Sequence, residues 1–291
     1  MITEETLIMW TKPASNTEEN KCDSTIANIE SCIKNYNFGW LKQPKLKLRG
    51  SYKNNTNVKN DSDVDMYVLF EDFCYSCNQN LERIPAINAN GPTYKEIKDA
   101  VYCCLQQRYG ADSIVRGHKS IKVKNNTYRV KADVVPVFTL QYNTMYGMIK
   151  GVAFYSDNNE FIVNFPEQDS ENGCKKNNDT HNLYKYYVRI FKRFRNELEN
   201  IGLNTNVSSY VIECLLYNVP NNYFMAENYL TGLKNIIYYL LVRIDSSILV
   251  EVNQIKQMFR KDLFPEQKTT KENVKTYLWY INNLFLEVVA A

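Results

Sequence analysis

Apolar residues recur at two different periods along this chain. In the first half the period is mostly two. "KLKLRGS" alternates from Lys45 and stops at Gly50-Ser51, and "DVDMYVLF" from Asp63 is an apolar run of β type. "SIVRGHKSIKVKNNTYRVKADVVPVF" reads as two strands around a turn at Asn125-Asn126, and "GVAFYS" with "EFIVNFP" reads as a hairpin turning at Asp157-Asn158-Asn159. Two helices interrupt these strands. "SNTEENKCDSTIANIESCIKNY" offers Ser15 or Thr17 as a cap, acidic residues in the next turn, and Ile26, Ile29 and Ile33 at helical spacing. "TYKEIKDAVYCCLQQRYG" predicts a helix that stops at Gly110.

The period changes near residue 166. "PEQDSENGCKKNNDTHN" has no apolar face and reads as a polar loop. Beyond it, helical spacing covers 180–200, 207–218, 226–245, 250–261 and 270–288. Strands with a few helices, followed by a half that is nearly all helical, predict an α+β chain of two lobes. Residues 1–165, with the N-terminal helix, form a mixed-sheet lobe, and residues 166–291 form a helical lobe. The join between them is a natural cleft.

Composition narrows the functions. The chain has 291 residues and a formal charge of +3, with a pI near 8.3. So weak an excess does not support stable DNA binding, and any phosphate chemistry must rest on a local site. No apolar run approaches the ~18 residues of a membrane span, and the acidic, polar N-terminus is not a secretory signal. The expectation is a cytoplasmic monomer whose eight cysteines are free thiols. Cys74-x-x-Cys77 and the adjacent Cys103-Cys104 have poor spacing for a zinc site.

The chemistry concentrates in "GSYKNNTNVKNDSDVDMYVLF" (50–70). Residues i and i+2 of a strand face the same way, so Asp63 and Asp65 aim two carboxylates at one point while Val64 turns to the core. Unpaired, such carboxylates repel each other and resist desolvation. A hard divalent cation removes that cost and keeps positions open for phosphate oxygens. Asp133, in the apolar strand "VKADVVPVF", completes a set of three if its strand neighbours 64–70. Gly50 lets backbone approach a phosphate, and Ser51 offers it a hydroxyl and an N–H.

"LRGSYKNNTNVKNDSDVDMYVLF" resembles the GS…DxD signature of nucleotidyltransferases, and "VKADVVPVF" resembles the strand of their third carboxylate. "WTKPASNTEENK", "NDTHNLYKYYVRIFKRFRNE" and "SSYVIECLLYNVP" extend the likeness to the cGAS/DncV-like nucleotidyltransferases, bacterial makers of cyclic di- and trinucleotides in antiphage defence. The resemblance implies a polymerase-β-like lobe with a helical lobe closing the cleft. It implies that Asp63, Asp65 and Asp133 hold two Mg²⁺ ions, with Mn²⁺ as a substitute, and that Gly50 and Ser51 grip the donor triphosphate. It further implies that Lys192 reaches that triphosphate, and that Ser209 and Tyr210 meet the donor nucleotide through a hydroxyl and a stacked ring. The substrates it implies are nucleoside triphosphates (ATP, UTP or GTP), and a separate effector protein senses the product. Read without the resemblance, Lys192 is one cation on a basic helix face and Tyr210 a core residue. Competing readings are a linear oligonucleotide or adenylyl transferase of the same superfamily, a small toxin-type adenylyltransferase, and a sensor. The helical half is too large for the toxin type, and a sensor would have lost its carboxylates.

Overall fold

The computed structural model describes residues 2–39, 42–59, 63–84, 92–264 and 266–286. After α1 (Glu4–Trp10), Ser15 caps α2 (Asn16–Asn35), accepting a hydrogen bond from the Glu18 N–H. Then follow β1 (Lys45–Arg49), the single turn α3 (Gly50–Lys53), β2 (Val64–Asn78), β3 (Arg83–Ile84) and α4 (Tyr94–Tyr109). A capping box of Thr93 and Glu96 starts α4, and Gly110, at φ +80°, ends it. The strands β4 (Ile114–Arg116), β5 (Ile121–Val123), β6 (Ala132–Thr144), β7 (Gly147–Tyr155) and β8 (Phe161–Asn164) complete the sheet lobe.

One eight-stranded mixed sheet runs β1-β2-β6-β5-β4, with β3 also on β2, and β7 and β8 extending from β6. The pair β2 and β6 is parallel, and every other pair is antiparallel. The expected turn at Asn125-Asn126 links β5 to β6, where the Asn126 N–H bonds the Arg129 carbonyl. The additional strand β4 reaches β5 through a tight turn closed by Gly117 N–H to Ser120 O. The hairpin around 157–159 is β7–β8. The main sheet core packs Val64, Met66, Val68 and Phe70 of β2 and Val134 and Phe138 of β6 against Ile29 and Ile33 of α2 and Val101 and Leu105 of α4.

The second half differs from its sequence pattern in two places. Residues 166–179 are not a loop but a helix, α5 (Pro166–Asp179). Proline stands in its first turn with Glu167 and Asp169, residues that suit the positive end of a helix, and Lys176 lies in its last turn. Only Gly173 and Asn177 of α5 are buried, so it has no apolar stripe to read. Conversely, 250–261 is not a helix. Asn253 Oδ1 accepts from the N–H groups of both Ile255 and Lys256, Gln254 adopts φ +61°, and Val250 bridges to Gln257. An asparagine that binds its own following backbone competes with the helix.

The remaining helices are α6 (Leu183–Asn200), α7 (Ser209–Tyr217), α8 (Tyr229–Arg243) and α9 (Lys271–Ile281). The last ends in a π-helical turn, Asn282–Leu286, and the expected residues 287–288 lie outside those described. The helix expected near the N-terminus, α2, packs on the sheet through Cys22, Ile29 and Ile33, whereas Leu7 of the preceding α1 packs into the core formed by α6–α9.

Candidate active site

The β2–β6 register sets the carboxylates. Asp65 stands directly opposite Asp133 on neighbouring parallel strands, and Asp63 is two residues before Asp65. Burial raises the Asp65 pKa above its ordinary value. Arg49, its register partner on β1, opposes that rise, and the negative charges of Asp133 and Asp63 add to it. Asp133 Oδ1 is buried with no hydrogen-bond partner. Asp63 is ion-paired with Lys131, whose pKa is raised in turn by that hydrogen bond.

Gly50 adopts φ +71°, and a Cβ on it would collide with the Asp65 carboxylate. Glycine is therefore required twice, by its backbone angle and by the carboxylate behind it. Ser51 and Lys53 follow in α3, whose first N–H groups have no acceptor within the helix.

A cavity of about 400 Å³ collects these parts. Gly50, Ser51, Asp63 and Asp65 face Ser209, Tyr210 and Glu213 across it, with Arg49, Lys53 and Asp169 in its wall. Asp133, beside Asp65 on the neighbouring strand, is not among the residues that line the cavity. A second cavity of about 680 Å³ adjoins it and shares Asn164 and Tyr210. Both volumes suit a nucleotide-sized ligand.

Tyr210 stands at the junction. Ser208 caps α7 and puts Tyr210 in its first turn. The residue keeps 37 % of its surface exposed, while its hydroxyl end is enclosed. The hydroxyl lies 2.8 Å from Asp169 Oδ1 and 3.1 Å from Glu251 Oε2. The Asn253 amide donates to both carboxylates, and Gln267 donates to Glu251. Burial pushes the Asp169 pKa up to about 7, against the hydrogen bond from Tyr210. Ser209 accepts a hydrogen bond of 2.7 Å from Arg195.

Lys192 departs from its expected place. Its side chain is buried and its ammonium bonds Glu213 and Thr56, so it does not line the cavity; Lys53 is the lysine that does. Sequence reasoning also missed Arg49, Asp169, Glu251 and Asn253. Arg49 directly precedes the Gly-Ser pair, so its place in the sequence marks it. The other three lie in the segments misread as loop and helix, and nothing in their spacing marks them.

The donor set fits a divalent cation, with hard carboxylate oxygens on adjacent strands and one orphaned buried oxygen among them. Among the described residues, no three carboxylates stand at metal-ligand spacing, and Asp63 faces Lys131 instead.

Carboxylates side by side on parallel strands, a Gly-Ser turn against them and a helical lobe across the cleft define a nucleotidyltransferase. Residues 171–285 match the model of the cGAS/DncV-like nucleotidyltransferase C-terminal helical domain. A cyclic dipyrimidine nucleotide synthase CdnE of Legionella pneumophila is 36% identical over 96% of this chain and 97% of its own. A cyclic dipurine nucleotide synthase of Elizabethkingia meningoseptica is 38% identical over 88% of this chain and 90% of its own. The structure of Elizabethkingia meningoseptica CdnE with GTP and Apcpp superposes with a TM-score of 0.83 at 33% identity, covering 98% of this chain and 99% of that one. The Rhodothermus marinus c-UMP-AMP synthase, solved with Apcpp and Upnpp, gives 0.85 at 28% identity, covering 100% and 99%. The chain belongs to the cGAS/DncV-like nucleotidyltransferase family, and it is an enzyme of nucleotidyl transfer.

Proposed function

We propose that this enzyme joins two or three ribonucleoside triphosphates into a cyclic oligonucleotide second messenger for antiphage signalling. The ribose hydroxyl of an acceptor attacks the α-phosphate of a donor. An oxygen–phosphorus bond forms, the bond to pyrophosphate breaks, and a second attack within the linear product closes the ring. Gly50 and Ser51 hold the donor triphosphate, Lys53 and Arg49 supply positive charge at the cavity wall, and Tyr210 offers a ring face to a base. Asp63, Asp65 and Asp133 would hold divalent cations, Mg²⁺ or Mn²⁺ in its place, which when bound neutralise triphosphate charge and acidify the hydroxyl.

The observation that carries this reading is the pair of adjoining cavities sharing Tyr210 and Asn164, one of them holding the carboxylates. That is room for two nucleotides, as a dinucleotide product requires. The relatives support it, since cyclic dipyrimidine, dipurine and UMP-AMP synthases are all similar to this chain. The enzyme works as a cytoplasmic monomer on ATP, UTP or GTP, without stably bound DNA, and a separate effector protein reads the product. No described helix is long and apolar enough to cross a membrane.

The test is incubation of the protein with labelled ribonucleoside triphosphates and Mg²⁺, then phosphatase treatment and mass spectrometry. A closed ring has no terminal phosphate and resists phosphatase. Finding only linear, phosphatase-sensitive oligomers would leave a general nucleotidyltransferase and end the cyclase reading.

A further inference from the structure

Lys192, on α6, is fully buried at 0 % exposure, the least common place for a lysine. An ammonium has three N–H donors. All three have partners here: Glu213 Oε1 of α7 at 2.7 Å, Thr56 O at 3.1 Å and Thr56 Oγ1 at 3.2 Å. None is left for a phosphate. The Thr56 hydroxyl completes a triangle by donating to the same Glu213 oxygen at 2.7 Å. One turn earlier on α6, the Arg189 guanidinium bonds both the carbonyl and the side-chain oxygen of Asn55, and also the Thr11 carbonyl.

These bonds converge on two residues of the sheet lobe, and those residues are tied to the phosphate turn. The Thr56 N–H donates to Ser51 O at 2.9 Å, and the Asn54 N–H donates to Gly50 O at 3.0 Å. Gly50 in turn abuts the Asp65 carboxylate. A continuous path of short contacts therefore runs from the helical half to Ser51 and on to Asp65.

We propose that Lys192 is a positioning residue: with Glu213 it fastens Asn55–Thr56 to the helical half and so sets where the Gly50–Lys53 turn stands against the catalytic carboxylates. A buried ion pair adds little stability over a well-packed apolar pair, but it demands one geometry. That is the property a turn gripping a triphosphate needs. This inference rests on the proposed function for the turn's role, whereas the clamp itself can be observed without turnover.

The experiment compares four proteins: wild type, Thr56→Val, Lys192→Met, and Lys192→Met with Glu213→Leu. Three quantities are read: thermal midpoint, amide exchange of segment 50–58, and affinity for a non-hydrolysable nucleoside triphosphate with Mg²⁺. Thr56→Val keeps the Lys192–Glu213 pair, and the double variant removes both charges together, so each should stay folded. The expected result is exchange in 50–58 faster by about tenfold or more in both, with nucleotide affinity reduced by several-fold to tenfold in both. A ligand lysine predicts the reverse for Thr56→Val, with unchanged exchange and affinity, and a loss of affinity confined to proteins without Lys192. That pattern would overturn the proposal, as would wild-type protection of 50–58 in the double variant. If wild-type protein binds no nucleotide, the proposed function fails, and the exchange data still decide the clamp.

Discussion

At Asp65, two demands conflict. Its carboxylate must be ionised to serve phosphate chemistry, yet it sits between a buried strand and two other carboxylates, which raises its pKa. For an acid raised in the folded state, stability is highest while the group is protonated and falls as pH climbs from the unfolded pKa through the folded one. Asp65→Asn should therefore raise the urea midpoint above pH 7 while cutting product formation at least about a hundredfold. A variant that is inactive and also less stable at pH 8 would contradict this. Asp169 gives a sharper pH test. Its pKa is about 7 in the fold, and one tyrosine proton faces both it and Glu251, so a proton on Asp169 satisfies the pair. Wild-type stability should fall between about pH 4 and pH 7, by up to about 4 kcal/mol, and level off above. Asp169→Asn, which still accepts from Tyr210, should flatten that slope in denaturation curves taken at each pH.

Among the elements, the 250–261 segment shows how a few side chains override a period. Its apolar spacing reads as helical, but Asn253 takes two backbone N–H groups and also donates to Asp169, Tyr210 and Glu251. Asn253→Ala frees those partners and should cost about 2–3 kcal/mol, with a raised KM for nucleotide because Tyr210 loses its anchor. Equal loss of stability with unchanged KM would make the segment purely structural. The helix α5 is the converse case. Only Asp169 among its charged residues lines the cavity, and its buried residues are Gly173 and Asn177, so the usual 3.6-residue apolar signal is absent although the helix forms.

For the whole molecule, the two halves are joined by buried polar groups as well as by packing. Lys192→Met alone leaves Glu213 buried without its counter-charge and should cost about 3–5 kcal/mol, seen as a lowered thermal midpoint. Adding Glu213→Leu should recover most of that midpoint. A single variant as stable as wild type would show that water or another cation already serves Glu213.

Much of the fold could be read from local pattern. The strand around Asp63 and Asp65, the capped helices at 16–35 and 94–109, the β7–β8 hairpin and the helical character of α6 to α9 all follow from spacing, caps and turn residues within a few positions of one another. The shared face of Asp63 and Asp65 follows from the two-residue period of a strand alone. What only the tertiary structure decided are relations between distant residues. The parallel register that sets Asp65 against Asp133 depends on two strands 68 positions apart in sequence (133 − 65). The partner of Lys192 and the joining of α1 to the helical core likewise depend on groups brought together from other segments. Periodicity reports which face of an element is apolar. A polar group's role is set by the hydrogen bonds and charges that meet it, and those partners come from wherever the chain has folded to.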